Sequence, residues 1–489
     1  MTRGGTVHHG GPRGSRRGAV LIVALFIVTA IVGLVLVLAR DKRIDAMAAA
    51  HERASAQARA IALGAAQAVM TLGDALPADV VEVGDGAFWL LDPDWDDDKN
   101  AAFGIGDESS KLDLNTATEE MLLMLPGVDT ALAAAIIDWR DEDSTPAANG
   151  AENEYYLLRS PPYYAKNAPF ESVEELLFVR GVTPEILYGE DWNRNGLLDP
   201  NENDASETDP PDNADGTLDR GLIAFVTIYS QTPAEGLVNV NQGGGAPAGG
   251  GAPAGGGAPG GAEGGGEEEI KKVLQDAASA GSIAESRVDQ ILQSILSSGP
   301  YTNLIDMLFK TGMTAEEFNA VASRFTASSG QDGAASLINV NSAPKEVLMT
   351  LPGLSEADAE ALIAYRRNAG GSSAAASGSG AQSSTASTGP LAGIGWVSEA
   401  LPREKAVAIG GAVTTLSTQR SADIVAVSGD GRAFERYRMV YDGSGESPRL
   451  VLWQRLTHLG WPLDASILTS LRSGASLAEL PRTTRRGVF

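Results

Sequence analysis

The hydrophobic pattern of the chain begins with an uncharged apolar run, AVLIVALFIVTAIVGLVLVLA, at residues 19–39. In an α-helix, such a run spans about 30 Å, the thickness of the hydrocarbon core of a bilayer. The residues that follow, up to about residue 72, are rich in alanine, carry scattered charges and lack proline, so they favour continued helix. We therefore predict one long helix, which is transmembrane over 19–39 and continues outside the membrane to about residue 72.

Two later regions show patterns typical of β-structure. Short apolar runs such as AFWLL and FGIG, between residues 85 and 115, predict strands. Between residues 423 and 456, the segments DIVAVSG, ERYRMVYD and RLVLWQRL are separated by the turn-forming sequences SGDGR and GSGESP. This order predicts consecutive antiparallel hairpins.

Between these β regions the pattern is mostly helical, and it repeats. Residues 115–140 align without a gap to residues 341–366, and 12 of the 26 aligned positions are identical. Each copy predicts a helix capped at its Asn-Thr or Asn-Ser start, a Leu-Pro-Gly turn and a second helix. Two amphipathic helices joined in this way bury their apolar faces against neighbouring pairs.

Weaker repeats extend the same pattern. Residues 170–185 resemble residues 301–316, and LVNVN at 237–241 echoes LINVN at 337–341 as the start of a further hairpin. We therefore predict one helical domain over about 112–368.

Two low-complexity stretches interrupt the chain. GGGAPAGGGAPAGGGAPGGAEGGG at 243–266 lies inside the predicted helical domain, and a Gly/Ser/Ala-rich stretch lies at 369–389. Neither can bury a core, so we predict a flexible insertion and a flexible linker.

Composition excludes several kinds of function. The formal net charge is −26 and the isoelectric point is about 4.5, which argues against general nucleic-acid binding. The absence of cysteine excludes disulfides, thiolate zinc sites and catalytic thiols. We find no nucleophile elbow, phosphate-binding loop or histidine-based centre, and therefore expect no enzymatic activity.

The strongest chemical motif is DWNRNGLLDPNE at 191–202, which has the spacing of an EF-hand calcium loop. Gly196 permits the sharp turn at position six, and Leu198 supplies the apolar residue that anchors such a loop. The predicted ligands are the side chains of Asp191, Asn193, Asn195, Asp199 and Glu202, and the carbonyl of Leu197. The alternative is a solvated acidic loop.

A second, incomplete copy follows at 213–219 (NADGTLD). Asn213, Asp215 and Asp219 match ligand positions of the first loop. Positions one and twelve would be Pro211 and Leu222, so this copy needs donors from outside, such as Asp209, Asp212 or acids of the first loop. Whether it binds calcium stays open, and a further acidic stretch at 92–100 favours a surface loop.

The basic N-terminus resembles a known leader peptide. Residues 1–18 contain four arginines, no acid and a terminal Gly18 before the apolar run. This resembles the type IV pilin and pseudopilin class, in which a prepilin peptidase cuts after the glycine, so that the mature chain would start at Ala19. Val23 stands where most members have glutamate, and the minor pseudopilin K of type II secretion systems characteristically lacks that glutamate. The alternative is a secretory signal peptide.

The helical repeats resemble helix-hairpin-helix motifs, which often bind DNA. The second glycine of that motif is replaced here by Asp129 and Ser355, and a carboxylate at the turn would repel phosphate. Pseudopilin K proteins resemble the same pattern, and DESSKLDLNTA at 107–117 resembles their entry to the helical domain.

This resemblance implies an α+β fold with a long N-terminal transmembrane helix. A pilin-like α/β domain (73–111 and 390–465) would carry the inserted α-helical domain of helix-hairpin-helix-like repeats (112–368), followed by a tail at 466–489. The calcium-binding part of the helical domain in that family would correspond to 191–219.

The resemblance also implies a structural function. The chain would be a minor pseudopilin at the tip of the type II secretion pseudopilus and would support protein export across the outer membrane. Its partners would be the I-type and J-type minor pseudopilins, other pseudopilus subunits and the prepilin peptidase. It would cross the inner membrane once, with its C-terminal domains in the periplasm. Two alternatives are a membrane-anchored DNA-binding or DNA-uptake protein and an exported calcium-binding domain.

Overall fold

The computed structural model describes residues 16–76, 80–205, 207–230, 237–241, 265–327, 336–374, 391–445 and 447–475. Most of the predicted leader and Gly-rich insertion, much of the predicted linker and the end of the predicted tail lie outside these residues. The α-helices are α1 (Arg16–Leu72), α2 (Glu119–Leu122), α3 (Thr130–Arg140), α4 (Asn153–Tyr156), α5 (Pro184–Tyr188), α6 (Leu222–Phe225), α7 (Gly265–Ser279), α8 (Glu285–Ser298), α9 (Leu304–Thr311), α10 (Ala315–Ala322), α11 (Lys345–Leu348), α12 (Glu356–Ala374), α13 (Val397–Ala400), α14 (Arg403–Ile409) and α15 (Ala465–Arg472). The strands are β1 (Val81–Val83), β2 (Gly86–Leu91), β3 (Gly106–Asp107), β4 (Leu112–Asp113), β5 (Val226–Thr227), β6 (Val238–Asn239), β7 (Phe325–Thr326), β8 (Ile338–Asn339), β9 (Val413–Thr414), β10 (Gln419–Val427), β11 (Phe434–Asp442) and β12 (Arg449–Arg455).

The N-terminal helix α1 has two different halves. From Val20 to Leu38, its large apolar side chains are between 50% and 73% exposed. Further along, Ile61 and Val69 are buried against the sheet. Among the described residues, α1 is the one helix long and apolar enough to cross a membrane, judged by length and composition. The prediction of a long apolar N-terminal helix is therefore confirmed.

The main sheet is antiparallel and is built from both ends of the chain. Its order is β1-β2-β10-β11-β12, and β3 also pairs with β10. The hairpins predicted between residues 423 and 456 are β10, β11 and β12, so this prediction is confirmed. Every residue of β2 is buried because α1 covers one face of the sheet and α15 packs on the other.

The packing of α15 corrects the predicted tail at 466–489. Ile467, Leu468 and Leu471 of this helix are buried against the sheet with Trp89 and Val425. Their spacing forms one apolar stripe on a two-turn helix, which the sequence reading missed because the segment is short. The sheet domain therefore extends beyond residue 465, through at least Arg472.

The helical domain consists of three similar units. Each unit begins with a two-residue strand and ends with a second strand that pairs with the first in parallel. The pairs are β4 with β5, β6 with β7, and β8 with β9. The strand β6 contains part of LVNVN, and its unit continues with α7 and α8 after the Gly-rich insertion. The predicted start of a further hairpin therefore belongs to a complete unit.

One asparagine in each unit joins the start of the unit to a later segment. Asn115 donates to the carbonyl of Phe170 at 3.1 Å and accepts from its amide at 2.7 Å. Asn241 makes the same two contacts with Tyr301, at 2.9 and 2.8 Å. Asn341 donates to the Leu391 carbonyl at 3.0 Å. The predicted role of the first and third of these asparagines, as helix caps, is therefore wrong: α2 and α11 begin later, after Thr118 and Pro344.

Each unit includes one pair of helices joined by a turn with a left-handed glycine: α2 and α3, α7 and α8, and α11 and α12. The glycines are Gly127 (φ 74°), Gly281 (φ 80°) and Gly353 (φ 75°). The first and third belong to the predicted Leu-Pro-Gly turns. The middle turn reads Ala-Gly-Ser, so sequence comparison alone did not match it to the others.

The third unit ends later than predicted. Trp396, Ile409 and Val413 are buried in the core of the helical domain, and β9 completes the unit. Residues 391–414 therefore belong to the helical domain and not to the sheet domain assigned at 390–465. The linker predicted at 369–389 also starts too early, since α12 continues to Ala374.

Candidate metal centre

The acidic segment 191–219 lies between the helical domain and the sheet. It follows α5, and an antiparallel bridge between Gly189 and Arg220 joins its two ends. The amide of Glu190 donates to the carbonyl of Asp219 at 2.8 Å. The two ends of the segment therefore lie side by side, and the residues between them form one long loop.

The first loop contains the sharp turn that its spacing predicts. Gly196, at loop position six, has a φ of 72°, and Arg194, at position four, has a φ of 56°. A Cβ on Gly196 would lie 2.3 Å from Cβ of Pro93. Glycine is therefore required here by both conformation and space.

The first three candidate ligands are organised by backbone amides. Asp191 accepts from the amides of Asn195 and Gly196, both at 2.9 Å. Asn193 Oδ1 accepts from the Asn195 amide at 2.9 Å, and Asn195 Oδ1 accepts from the Leu197 amide at 2.8 Å. These bonds turn the loop about a common centre.

The later ligands complete this centre. The Nδ2 groups of Asn193 and Asn195 donate to the same oxygen, Asp199 Oδ2, at 2.6 and 3.1 Å. Glu202 Oε2 accepts from the Asp199 amide at 3.1 Å. The structure therefore brings together the side-chain candidates of the first loop, with Asp199 at their centre accepting from two side-chain amides.

The centre has an excess of negative charge. Glu202 is 2% exposed. Burial raises its pKa to about 8, and repulsion by Asp191, Asp199 and Glu190 contributes to this rise. Burial also raises the pKa of Asp191. Within the described part of the chain, Asp199 and Glu202 form no ion pair, so a divalent cation fits this donor set.

The second loop repeats the geometry of the first. Ala214 and Gly216 have φ values of 53° and 84°, like the residues at positions four and six of the first loop. Asn213 Oδ1 accepts from the Asp215 amide and Asp215 Oδ1 accepts from the amide two residues on, both at 2.8 Å. Asn213 Nδ2 donates to Asp219 Oδ2 at 3.0 Å.

Residues outside the second loop take its two missing positions. The Gly216 amide donates to Asn203 Oδ1 at 3.1 Å, as the Gly196 amide does to Asp191 in the first loop. The Asp219 amide donates to Glu190 Oε2 at 3.0 Å, which matches the role of Glu202. Asn203 and Glu190 therefore supply the oxygens that Pro211 and Leu222, at positions one and twelve, cannot provide.

Sequence reasoning missed Glu190 and Asn203 because it considered Asp209, Asp212 and the acids of the first loop as the outside donors. The two residues directly flank the first loop, one on each side. Of the donors suggested from sequence, Asp212 accepts from the amides of Asp204 and Ala214 and so braces the connection between the loops. Asp209 accepts from Asn201 through its backbone carbonyl.

One residue of the acidic stretch 92–100 joins the two loops. The Leu198 amide donates to the carbonyl of Asp98 at 2.7 Å, and the Leu218 amide donates to its Oδ2 at 3.0 Å. Leu198 and Leu218 occupy the same position, eight, in their loops. Asp98 thus connects the two loops, because it accepts one hydrogen bond from the same position of each.

The first loop is also attached to the sheet. Arg436 of β11 is fully buried, and its guanidinium donates to the carbonyls of Asn193 and Arg194 at 2.5 and 2.6 Å. Its charge is paired with Asp423 of β10. Asn195 Nδ2 donates to the carbonyl of Pro462 at 3.1 Å. The geometry of the loop therefore determines how the helical domain contacts the sheet.

The predicted leader cleavage site lies elsewhere. Gly18 and Ala19 are near the start of α1, which is continuous through them. Cleavage there stays a prediction.

Comparison with known proteins gives one consistent family. Models of the family described as type II secretion system (T2SS), protein K, match residues 104–188 and 338–393. The type II secretion system protein K of Klebsiella pneumoniae is 45% identical over 51 residues, 10% of this chain and 16% of the relative. That of Pectobacterium carotovorum subsp. carotovorum is 36% identical over 55 residues, 11% of this chain and 17% of the relative. The matches thus span about a sixth of each relative's length.

A solved structure, that of the GspK-GspI-GspJ complex from the enterotoxigenic Escherichia coli type 2 secretion system, is 10% identical in sequence with a TM-score of 0.34. The comparison covers 85% of this chain and 98% of that chain. The two family models and both relatives agree, and the matched parts of the chain are similar to the type II secretion system protein K family.

Proposed function

We propose that the chain is a structural minor pseudopilin at the tip of a type II secretion pseudopilus, supporting protein export across the outer membrane. The observation that carries this proposal is the divided helix α1. Its first half presents exposed apolar side chains along some 19 residues, Val20 to Leu38, and its second half is buried on an antiparallel sheet. A helix with this division can stand in a bilayer while the domains stay in water.

The basic residues before the apolar run favour a cytoplasmic N-terminus, with the later domains in the periplasm. We propose that a prepilin peptidase cuts between Gly18 and Ala19. The mass of the mature chain tests this proposal against the alternative of an exported calcium-binding domain. A mature N-terminus well beyond Ala19 would support that alternative.

The size of the inserted domain supports the proposed position at the tip. Asp107 of β3 and Arg420 of β10 are neighbours in the sheet, yet the whole helical domain lies between them in the chain. So large an insertion leaves little room for another subunit above it. Val23 also lacks the carboxylate that would pair with the N-terminal amine of a subunit nearer the tip.

Calcium is proposed as the ion that fixes the helical domain on the sheet. In the first loop, Asn193 and Asn195 would bind it through Oδ1 together with the Leu197 carbonyl, and Asp191, Asp199 and Glu202 would supply negative charge. In the second loop, the proposed side-chain ligands are Asn203, Asn213, Asp215, Asp219 and Glu190.

Co-purification tests the structural proposal. The full-length chain is co-expressed in membranes with the I-type and J-type minor pseudopilins of the same organism, and the complex is extracted in detergent. We expect a ternary complex by native mass spectrometry. Its absence, when the I-type and J-type subunits still associate with each other, would refute the proposed position in the pseudopilus.

The alternative of DNA binding through helix-hairpin-helix motifs meets a physical obstacle. Asp129 accepts from the Leu132 amide at 2.8 Å, so a carboxylate already occupies the amide-rich turn of the first helix pair. In the other pair with a Leu-Pro-Gly turn, Asp358 accepts from the Ser355 amide at 2.8 Å. A gel-shift titration at low salt tests this alternative, and tight, salt-sensitive binding would overturn the structural reading of the helix pairs.

A further inference from the structure

A second group of oxygen ligands lies away from both loops, where the chain leaves α3. Asp141, Asp143 and Glu152 place one carboxylate oxygen each so that the three lie within 4.8 Å of one another. Calcium binds oxygens at about 2.4 Å, so ligands on opposite sides of the ion are about 4.8 Å apart. The three oxygens are therefore spaced to share one ion.

Several oxygens in this group are buried without a partner. Glu152 is 2% exposed, and its Oε1 accepts no hydrogen bond. Asp141 Oδ1 and Asn167 Oδ1 are likewise buried and unpartnered. A buried oxygen that accepts nothing is costly, and buried polar atoms of this kind call for an explanation. A bound cation would satisfy all three at once.

The remaining polar atoms of these side chains are anchored to the protein. Glu152 Oε2 accepts from the Asn153 amide at 3.3 Å, and Asp143 Oδ1 accepts from the Thr145 amide at 2.7 Å. Asn167 Nδ2 donates to Ser144 Oγ at 3.2 Å. Each anchored atom leaves the other oxygen of its group free to face a common point.

The backbone around the group is equally constrained. Asn167 has a left-handed φ of 46°. Its side-chain Nδ2 also donates to the carbonyl of Asp143, and this bond joins the two segments that carry the ligands. Behind them, both oxygens of the buried Asp138 accept from the Ala147 amide at 3.2 Å. A Cβ on Gly150 would lie 1.9 Å from Asp138 Oδ2, so this segment is closely packed.

At Asp141, repulsion from Asp143 and Asp138 outweighs the attraction of the neighbouring Arg140. Burial raises the pKa of both Glu152 and Asp141, and repulsion from Asp138 adds to each rise. Within the described residues, none of these carboxylates forms an ion pair. The adjacent Arg140 donates to the carbonyls of Leu114 and Ala117 instead.

We propose that Asp141, Asp143, Glu152 and Asn167 form a further cation-binding site that takes a calcium ion. All four donors are oxygens, and three of them come from carboxylates. Hard divalent cations such as calcium prefer oxygen ligands, whereas zinc and copper prefer nitrogen and sulfur ligands. The site would fix the segment after α3 to the segment around Asn167. It shares no ligand with the two loops, so it stands whether or not they bind calcium.

Calcium stoichiometry tests the proposal. The full-length chain in detergent is dialysed to equilibrium against radioactive calcium, as wild type and as Asp143→Asn, Glu152→Gln and the control Glu142→Gln. Asp143 is exposed, and an asparagine there can still accept from the Thr145 amide, so this variant keeps the fold. We expect Asp143→Asn and Glu152→Gln each to bind one ion fewer than wild type, and Glu142→Gln to bind as many.

A second arm separates this site from the loops. A variant with Asp191→Asn, Glu202→Gln and Asp219→Asn should still bind one ion, and adding Asp143→Asn should abolish that binding. If Asp143→Asn binds as many ions as wild type, or if the loop variant binds none, the proposal is wrong. A loop variant that still binds one ion supports this site, however many ions it loses from the loops.

Discussion

Replacing Glu202 by glutamine should change stability in opposite directions with and without calcium. Burial, with repulsion from Asp191, Asp199 and Glu190, raises the pKa of Glu202 from 4.5 to about 8. The calcium-free folded state therefore holds this proton more tightly than the unfolded chain does. Its stability should fall as the pH rises from about 4.5 to about 8. At about 1.4 kcal/mol per pKa unit, the full loss is at most about 5 kcal/mol.

Glutamine carries no charge at any pH, so it removes this loss. In EDTA, Glu202→Gln should melt at a higher temperature than wild type above about pH 8, and the difference should vanish near pH 4.5. In calcium the order should reverse, because the variant lacks a charged ligand. One ion at a hundred times its Kd stabilises the folded state by about 2.7 kcal/mol, and the variant should lose most of that gain.

The measurement is a thermal melt of the full-length chain in detergent, followed by near-ultraviolet circular dichroism at a series of pH values, with EDTA or with calcium. Glu207→Gln is the matched control, because Glu207 lies in the same acidic segment but is exposed. Parallel pH profiles of wild type and Glu202→Gln in EDTA would refute the reasoning. Glu202 would then not be a carboxylate held in an excess of negative charge.

Four further substitutions test the two loops and their attachment to the sheet. Glu190→Gln should remove the ion of the second loop and keep that of the first, so calcium stoichiometry by equilibrium dialysis should fall by one. Arg436→Met should lower the free energy of unfolding by about 3–5 kcal/mol in a denaturant titration, because the partly buried carboxylate of Asp423 and two carbonyls lose their guanidinium partner. Gly196→Ala should cost about 2–4 kcal/mol through backbone strain and a clash with Pro93. Gly216→Ala, which has open space around it, should cost about 1 kcal/mol in the same titration.

Two substitutions serve as controls for these predictions. Glu185→Gln removes an exposed carboxylate just before the acidic segment and should leave calcium stoichiometry unchanged. Arg449→Met removes an exposed arginine from β12 and should leave stability within about 0.5 kcal/mol of wild type. Equal destabilisation by Arg436→Met and Arg449→Met would show that burial of Arg436 contributes nothing.

Sequence reasoning identified the first loop because all its donors lie within twelve residues at fixed spacing. It could not complete the second loop, since Asn203 and Glu190 reach it only through the folding of the whole segment. Asp98 was assigned to a surface loop for the same reason. Its contacts with the loops span about a hundred residues of sequence, and no local pattern records them.

The elements of the fold were also predicted only in part. Regular patterns, such as the apolar run of α1 and the alternation of β10 to β12, gave the right elements. The middle unit was recognised only in part, because a Gly-rich insertion separates β6 from α7 and its turn lacks the Leu-Pro-Gly sequence. The boundaries near residues 391 and 465 were wrong because tertiary packing, which short helices such as α15 do not reveal by themselves, determines which core they join.

The position of β10 in the sheet has a consequence for the order in which the protein can fold. β10 pairs with β2, β3 and β11, so it lies at the centre of the sheet. The ribosome makes β2 first and β10 only after the entire helical domain. Until β10 emerges, β2 can pair only with β1. The edge of β2 that β10 later covers is then open along Phe88 and Trp89, and such an edge favours aggregation. Synthesis therefore delays closure of the sheet until the chain of the whole helical domain has been made.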